Sequence, residues 1–221
     1  ALFDQNSKDL DGHDLQIENY ISLLEELLKN PSIGVILKPK KPQSLYLRLG
    51  NEVKSLINKS IDTGRCYLFD NSGKFQSNIP VALAALSADV SICSNLHAGT
   101  SAVESASLNK RTVLLDREGF PKSNFYDYNL KNVIFSNWDD LIKEMNSYFN
   151  SNQSLNTFGD WSKIINYFDP YRDGQASMRM GDYLNDLIVN LNKDLKNDDC
   201  IDIANKNFIK IWGKDKIINI D

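Results

Sequence analysis

The sequence has few of the residues that hold metals or disulfides, with three cysteines and two histidines in 221 residues. The cysteines are widely spaced and odd in number, and Cys66 and Cys93 fall inside apparent core strands. A disulfide framework is therefore not expected, and an intracellular, reducing compartment is the natural interpretation. Two histidines are too few for a metal site built on imidazoles. We expect neither a metal nor a cofactor.

Long hydrophobic runs and an excess of positive charge are also missing. No apolar stretch approaches the roughly 18 residues that a membrane span needs, and no signal peptide is visible. The formal net charge of -4 argues against nucleic acid as the main partner, because phosphate backbones require a basic face. These features predict a cytoplasmic protein.

Short apolar segments alternate with amphipathic helical patterns as far as about residue 150. The strand segments are apolar on both sides of the pleat, which is typical of a parallel sheet covered by helices. The pattern predicts an α/β, Rossmann-like three-layer sandwich with a mainly parallel sheet of about six strands, followed by C-terminal helices. We expect 1–150 to form this domain, 151–195 to pack on it as helices, and 196–221 to be a tail of unassigned structure.

The loops that follow the predicted strands are the places to look for a ligand. In an open parallel sheet, ligands bind outside the carboxyl ends of the strands, where helix N-termini present free N–H groups. Five loops qualify by position: "DQNSKDLDGHD", "KPKKPQS", "DNSGKFQSN", "SNLHAGTS" and "DREGFPKSNFYDY".

The loop "SNLHAGTS" offers a possible anion cradle. Gly99 would let the backbone approach an anion, while Thr100 and Ser101 would add hydroxyls beside the free N–H groups of the next helix. The same segment also reads as a capping box of Ser101 and Glu104, which needs no ligand. Both interpretations stay open. The candidate substrate-binding residues of this segment are Ser94, His97, Gly99, Thr100, Ser101 and Glu104.

Basic residues mark two further candidates. Lys38, Lys40 and Lys41 come directly after a predicted strand, where cations are well placed to meet a phosphate or carboxylate; a solvated charge run is the alternative. Arg172, in "DPYRDGQASMR", is a further candidate substrate-binding residue. It is equally explained as a surface arginine before Asp173, which would cap the following helix.

Three segments together resemble a known family. "IPVALAALSADVSICSNLHAGTSAVESASLNKRTVLLD" resembles the C-terminal, donor-binding half of glycosyltransferases with two Rossmann-like domains (the GT-B fold). "VILKPKKP" is similar to their strand and Lys-Pro-His-Pro turn, with Lys41 where histidine is common. "FDPYRDGQASMRMGDYL" resembles the closing segment of bacterial surface-carbohydrate biosynthesis proteins. The similarity covers roughly residues 15–191 and extends distantly to the UDP-N-acetylglucosamine 2-epimerase superfamily.

The resemblance implies roles for the candidate residues. Gly99, Thr100 and Ser101 would hold the phosphates of a UDP- or CMP-linked sugar, and Glu104 would accept hydrogen bonds from ribose hydroxyls. Lys38 and Lys40 would neutralise charge on the departing nucleotide without a metal. A Gly99→Asp substitution would then abolish nucleotide binding and leave thermal stability nearly unchanged.

The resemblance also implies a partner. The acceptor and usually the catalytic base lie in an N-terminal Rossmann-like domain, so we expect this chain to be a fragment of a larger protein and inactive alone. A non-catalytic Rossmann-like binding or regulatory domain, or half of a sugar-nucleotide 2-epimerase, are the alternatives. The segment "NFIKIWGKDKI" suits peripheral contact with the inner face of a membrane, although a packed terminal helix or strand explains it more simply.

Overall fold

The chain divides into two compact units, Ala1–Pro170 and Tyr171–Asp221. The structure is a computed structural model. It describes residues 1–4, 10–69, 79–94, 96, 99–128, 132–151 and 156–216, with the side chains of 10–13 left out.

The first unit is built around one sheet whose paired strands all run parallel. Its strands lie in the order β3-β2-β1-β4-β5-β6, so the chain builds outward from β1 to one edge and then returns to build toward the other. The topological switch point therefore lies between β1 and β4. The strands are β1 (Leu2–Phe3), β2 (Val35–Lys38), β3 (Cys66–Leu68), β4 (Val90–Cys93), β5 (Arg111–Leu115) and β6 (Ile134–Phe135).

Helices follow the strands on both faces. Those of the first unit are α1 (Leu10–Lys29), α2 (Leu45–Asp62), α3 (Val81–Leu86), α4 (Thr100–Ser107), α5 (Trp138–Asn150) and α6 (Ile165–Phe168). One buried cluster joins the sheet to α1, α2 and α5, and the other joins it to α3, α4 and α6. The result is a three-layer sandwich, and the predicted α/β, Rossmann-like class is confirmed.

The pleat assigns each residue at the carboxyl edge to one face. Lys38, Phe3 and Cys93 are register partners in one row across β2, β1 and β4. Phe3 and Cys93 belong to the cluster under α3 and α4, so Lys38 in the same row points toward that layer. Asp4, the next residue along β1, points the other way, toward α1 and α2.

The second unit is a pair of helices, α7 (Ala176–Leu191) and α8 (Asn197–Trp212), with a short 3-10 helix, Lys214–Lys216. The Arg179 guanidinium lies 2.8 Å from an Asp173 carboxylate oxygen and over the rings of Tyr171 and Trp212. The "DPYRDG" motif thus supplies partners for a nearly buried arginine. The observed division of the chain after Pro170 differs from the expected boundary at residue 150, which stays a prediction.

Candidate functional site

Lys38 is a buried cation at the carboxyl end of β2. Its residue exposure is only 6%, and no hydrogen bond or ion pair joins its ammonium group to any residue that the structure describes. Burial lowers the pKa of Lys38 below its usual value, opposed by the negative charges of Asp4 and Glu104. Desolvating a charge without a direct partner is costly, so this position favours an anion as its missing partner.

The start of α4 lies in the same layer. Gly99 is the N-cap residue, and no side chain of the described residues caps the helix. The first turns of α-helices carry N–H groups without intrahelical partners, and α5 shows the usual solution, because the Asn137 side chain accepts from Asp140 N. Within the part of the chain that the structure describes, the N–H groups of α4 have no such side-chain cap, and the first turn of α4 carries no acidic residue.

The expected capping box of Ser101 and Glu104 is wrong. The helix begins at Thr100, so Ser101 is already helical and is not the N-cap. Its hydroxyl instead donates to the Cys93 sulfur at 3.4 Å. Glu104 is exposed and close enough to Lys38 to raise the pKa of that lysine. The shared site that the sequence predicts for Lys38 and Glu104 stays a prediction, whereas the capping role of Ser101 and Glu104 was misassigned.

Gly99 is required by packing. A Cβ atom at Gly99 would overlap the Cε2 and Cζ atoms of Phe125, and the Phe125 ring is itself packed against Trp161 and Phe168. This packing argues against the expectation that Gly99→Asp leaves stability nearly unchanged, because the Phe125 ring would have to move. Phe125 was missed because its partner is 26 positions away in the chain and no local pattern joins them.

On the opposite face, Asp4 forms a nearly buried polar cluster with α1 and α2. Its carboxylate accepts from the Tyr20 hydroxyl and from Arg48 Nη2, each at 3.2 Å, and from the Lys40 backbone N–H. The Arg48 Nη1 atom is buried and has no hydrogen-bond partner among the described residues. Lys40 thus meets Asp4 through its backbone, while its side chain is exposed. Sequence reasoning missed Arg48, which lies inside a helix pattern.

Ser94 lies just beyond β4 and accepts hydrogen bonds from side chains of α1. Its hydroxyl accepts from Gln16 Nε2 at 3.2 Å and its carbonyl from Asn19 Nδ2 at 3.5 Å. Asn19 Oδ1 in turn accepts from the Trp138 indole at 2.8 Å. The Gln16 Oε1 atom is buried and accepts no hydrogen bond from any residue that the structure describes. Ser94 therefore links the switch point to α1 and is largely occupied by protein contacts.

Two candidates fall elsewhere. His97 lies outside the described residues. Arg172 belongs to the second unit, where it is exposed and has a φ of 42°. Asp173 accepts from Gln175 N at 3.0 Å, but Gln175 is the N-cap residue of α7 and the helix has no side-chain cap among the described residues, so the expected capping by Asp173 is wrong.

A separate cavity of about 680 Å³ opens at the other edge of the sheet, between the amino ends of β2, β3 and β4. None of the candidate residues lines it. Over the described ranges there is no group of three or more His, Cys, Asp or Glu arranged to hold a metal ion. Over the same ranges, no helix has the length and apolar character to cross a membrane.

Comparisons with protein-family models, with curated proteins and with solved structures found no match for this chain. The geometry of the carboxyl edge is therefore what bears on function.

Proposed function

We propose that this chain is the nucleotide-sugar-binding half of a glycosyltransferase of bacterial surface polysaccharide biosynthesis. In this proposal Lys38 and the start of α4 bind the phosphates. The observation that carries it is Lys38, a buried lysine without a described ion-pair partner, at the carboxyl edge one strand from the switch point.

The arrangement suits a phosphate in charge and position. Ligands of open α/β sheets bind at the carboxyl edge beside the switch point, and helix N-termini bind anions through free N–H groups and the helix dipole. Lys38 lies one strand beyond β1 and α4 follows β4 on the other side, so the two flank the switch point from the same layer. A diphosphate there would meet a cation and unpaired donors together.

In this proposal Glu104 accepts hydrogen bonds from the hydroxyl groups of the ligand. It is exposed and lies within electrostatic range of Lys38. A carboxylate beside a phosphate site accepts hydrogen bonds from hydroxyl groups but repels a further phosphate. This combination favours a nucleotide sugar, whose ribose and sugar carry hydroxyls next to the diphosphate, over inorganic phosphate alone.

Transfer to an acceptor is proposed for the assembly with an N-terminal Rossmann-like domain in the cytoplasm. The isolated chain is expected to bind the donor without turning it over. A non-catalytic binding domain would also bind, and the two proposals separate when a chain with the second domain is supplied with a UDP-sugar and assayed for UDP release.

The direct test is isothermal titration calorimetry of the chain with UDP, CMP and UDP-N-acetylglucosamine. We expect at least one to bind, and we expect Lys38→Met to weaken that binding about tenfold or more, because a charge-assisted contact is lost. Lys59→Met, at an exposed lysine in the last turn of α2, is the matched control and should bind like the wild type. Absence of binding by a folded wild-type chain would refute the proposal.

The pH dependence offers a second readout. The pKa of Lys38 is lowered by burial, so the ammonium form, which binds phosphate, is lost at a lower pH than for an ordinary lysine. Binding should weaken as the pH rises toward 10.5, the ordinary value, and Lys38→Met should remove that part of the dependence. The variant should be at least as stable as the wild type near neutral pH, since a buried charge is removed.

A further inference from the structure

Five aromatic side chains of the first unit form a continuous cluster. They come from the loop after β5 and from the segment around α6: Phe125, Tyr128, Trp161, Tyr167 and Phe168. Ring centroids of Tyr128 and Tyr167 lie 5.4 Å apart at 34°, and those of Tyr128 and Phe168 lie 5.7 Å apart. Phe125 joins Trp161 and Phe168 at 5.8 and 5.7 Å.

The cluster touches the candidate phosphate site directly. Phe125 packs on Gly99 at the position that a Cβ would take, and Gly99 is the N-cap of α4. Phe125 and Tyr128 also pack on the buried cluster beneath α3 and α4. The rings therefore continue the same layer on the β5 side of α4, whereas Lys38 lies on the β2 side.

The rings differ in their exposure. Trp161 is only 3% exposed and belongs to the core, whereas Tyr167 is 72% exposed and Phe168 is 37% exposed. Tyr167 rests against Tyr128 in a tilted stack, which fixes the ring and leaves most of its surface open. Exposed aromatics scattered singly need no explanation, whereas contiguous exposed apolar groups mark interaction surfaces, ligand-binding grooves among them.

Charged side chains also differ between the Lys38 side and the aromatic side of the α4 start. The cation Lys38 lies on one side of the α4 start, whereas the exposed Asp127 adjoins Tyr128 in the chain. Carboxylates repel phosphate, so the aromatic side suits the uncharged part of a ligand whose phosphates lie toward Lys38.

We propose that Tyr167, supported by Tyr128 and Phe168, is the platform on which the base of a nucleoside diphosphate stacks. This inference rests on the proposed phosphate site at Lys38 and α4, and it assigns the recognition of the base to the β5 side of the edge. Every base has a π-face, so stacking selects for a nucleotide without selecting one base.

The experiment compares UDP with inorganic pyrophosphate by calorimetry, in the wild type and in Tyr167→Ala. The full chain is expected to bind UDP more tightly than pyrophosphate. Tyr167→Ala should weaken UDP binding on the order of 5- to 100-fold, the range that stacking on one aromatic ring supplies, and leave pyrophosphate binding unchanged. Tyr167→Phe keeps the ring and should bind UDP like the wild type.

Tyr67→Ala is the matched control, because Tyr67 is likewise an exposed tyrosine, at 60%, but lies on the edge strand β3. It should leave both affinities unchanged. The inference is overturned if Tyr167→Ala binds UDP as the wild type does, if it loses pyrophosphate equally, or if pyrophosphate binds as tightly as UDP. In each of these cases the phosphate site stands, whereas a wild type that binds neither ligand overturns both proposals.

Discussion

Two neighbouring charged side chains at the carboxyl edge of the sheet, Asp4 and Lys38, differ in whether they have direct partners. Asp4 is nearly buried, and its carboxylate accepts hydrogen bonds from Arg48, Tyr20 and the Lys40 N–H. Lys38, in the row next to it, is equally buried yet has no direct partner among the described residues. The pleat turns the two side chains to opposite faces, so neither can neutralise the other by contact. A buried charge without a direct partner makes Lys38 a candidate for ligand binding.

Gly99→Ala tests the contact that the structure adds to this site. The new Cβ would overlap Phe125, so the variant is expected to lose about 1–3 kcal/mol of unfolding free energy, the usual range for overpacking. Phe125→Leu in the same chain should recover part of that loss, because the ring that blocks the methyl group is gone. Urea denaturation of the two single variants and the double variant measures the coupling.

Gly181→Ala controls for the substitution itself. Gly181 lies within α7 with nothing near its missing Cβ, and alanine there should be neutral or stabilising by up to about 1 kcal/mol. A Gly99→Ala variant as stable as the wild type would contradict the packing described for Phe125.

The C-terminal end of α1 accepts hydrogen bonds from a residue that lies far along the chain. Arg65, just before β3, donates through Nη1 to the carbonyls of Leu27, Asn30 and Ile33 at 2.8, 2.9 and 2.8 Å. The last carbonyls of a helix lack intrahelical donors, and a cation there also complements the helix dipole. Arg65 thereby fixes how α1 leads into β2.

Arg65→Ala is expected to lower the unfolding free energy by about 2–4 kcal/mol, because several charge-assisted hydrogen bonds are lost together. Thermal and urea unfolding measure the change. Lys29→Ala is the comparison: it removes an exposed cation of α1 whose pairing with Glu25 spans 3.6 Å, and should cost no more than about 0.5 kcal/mol. Equal losses in the two variants would argue against the role of Arg65.

In the molecule as a whole, the three cysteines are buried with free thiols. Burial raises the pKa of Cys66 to about 11 and that of Cys93 to about 12. The thiolate is the reactive form, so both side chains stay protonated and unreactive at neutral pH. Cys200 is equally buried, at 1%, but lies in the second unit.

Iodoacetamide at pH 8 is therefore expected to modify none of the three thiols quickly in the native chain and all of them in urea. Mass spectrometry of the peptides identifies each site. Modification of Cys200 ahead of Cys66 and Cys93 would report opening of the second unit alone. Fast native labelling of Cys93 would contradict its place beneath α4.

Much of the fold could be predicted from local patterns. The strands from "VILK" to "VIF" could be predicted because they are short and apolar on both sides. The helix α1 could be predicted because its apolar residues recur at three- and four-residue spacing. The helix α8 was missed although Cys200, Ala204 and Phe208 have helical spacing and acidic residues fill its first turn. Its interrupting lysines and asparagines weakened the apolar pattern.

The periodicity of apolar residues was enough to predict a parallel sheet between helices and to nominate the loops at its carboxyl edge, because these depend on local spacing and on chain direction. The periodicity could not predict the strand order or the switch point between β1 and β4, because strand pairing joins segments that are far apart in the chain. "GTS" read as an open cradle with a capping box. Packing instead set Phe125 on Gly99 and turned Ser101 to Cys93, because contacts between distant residues follow from how the layers close over the sheet.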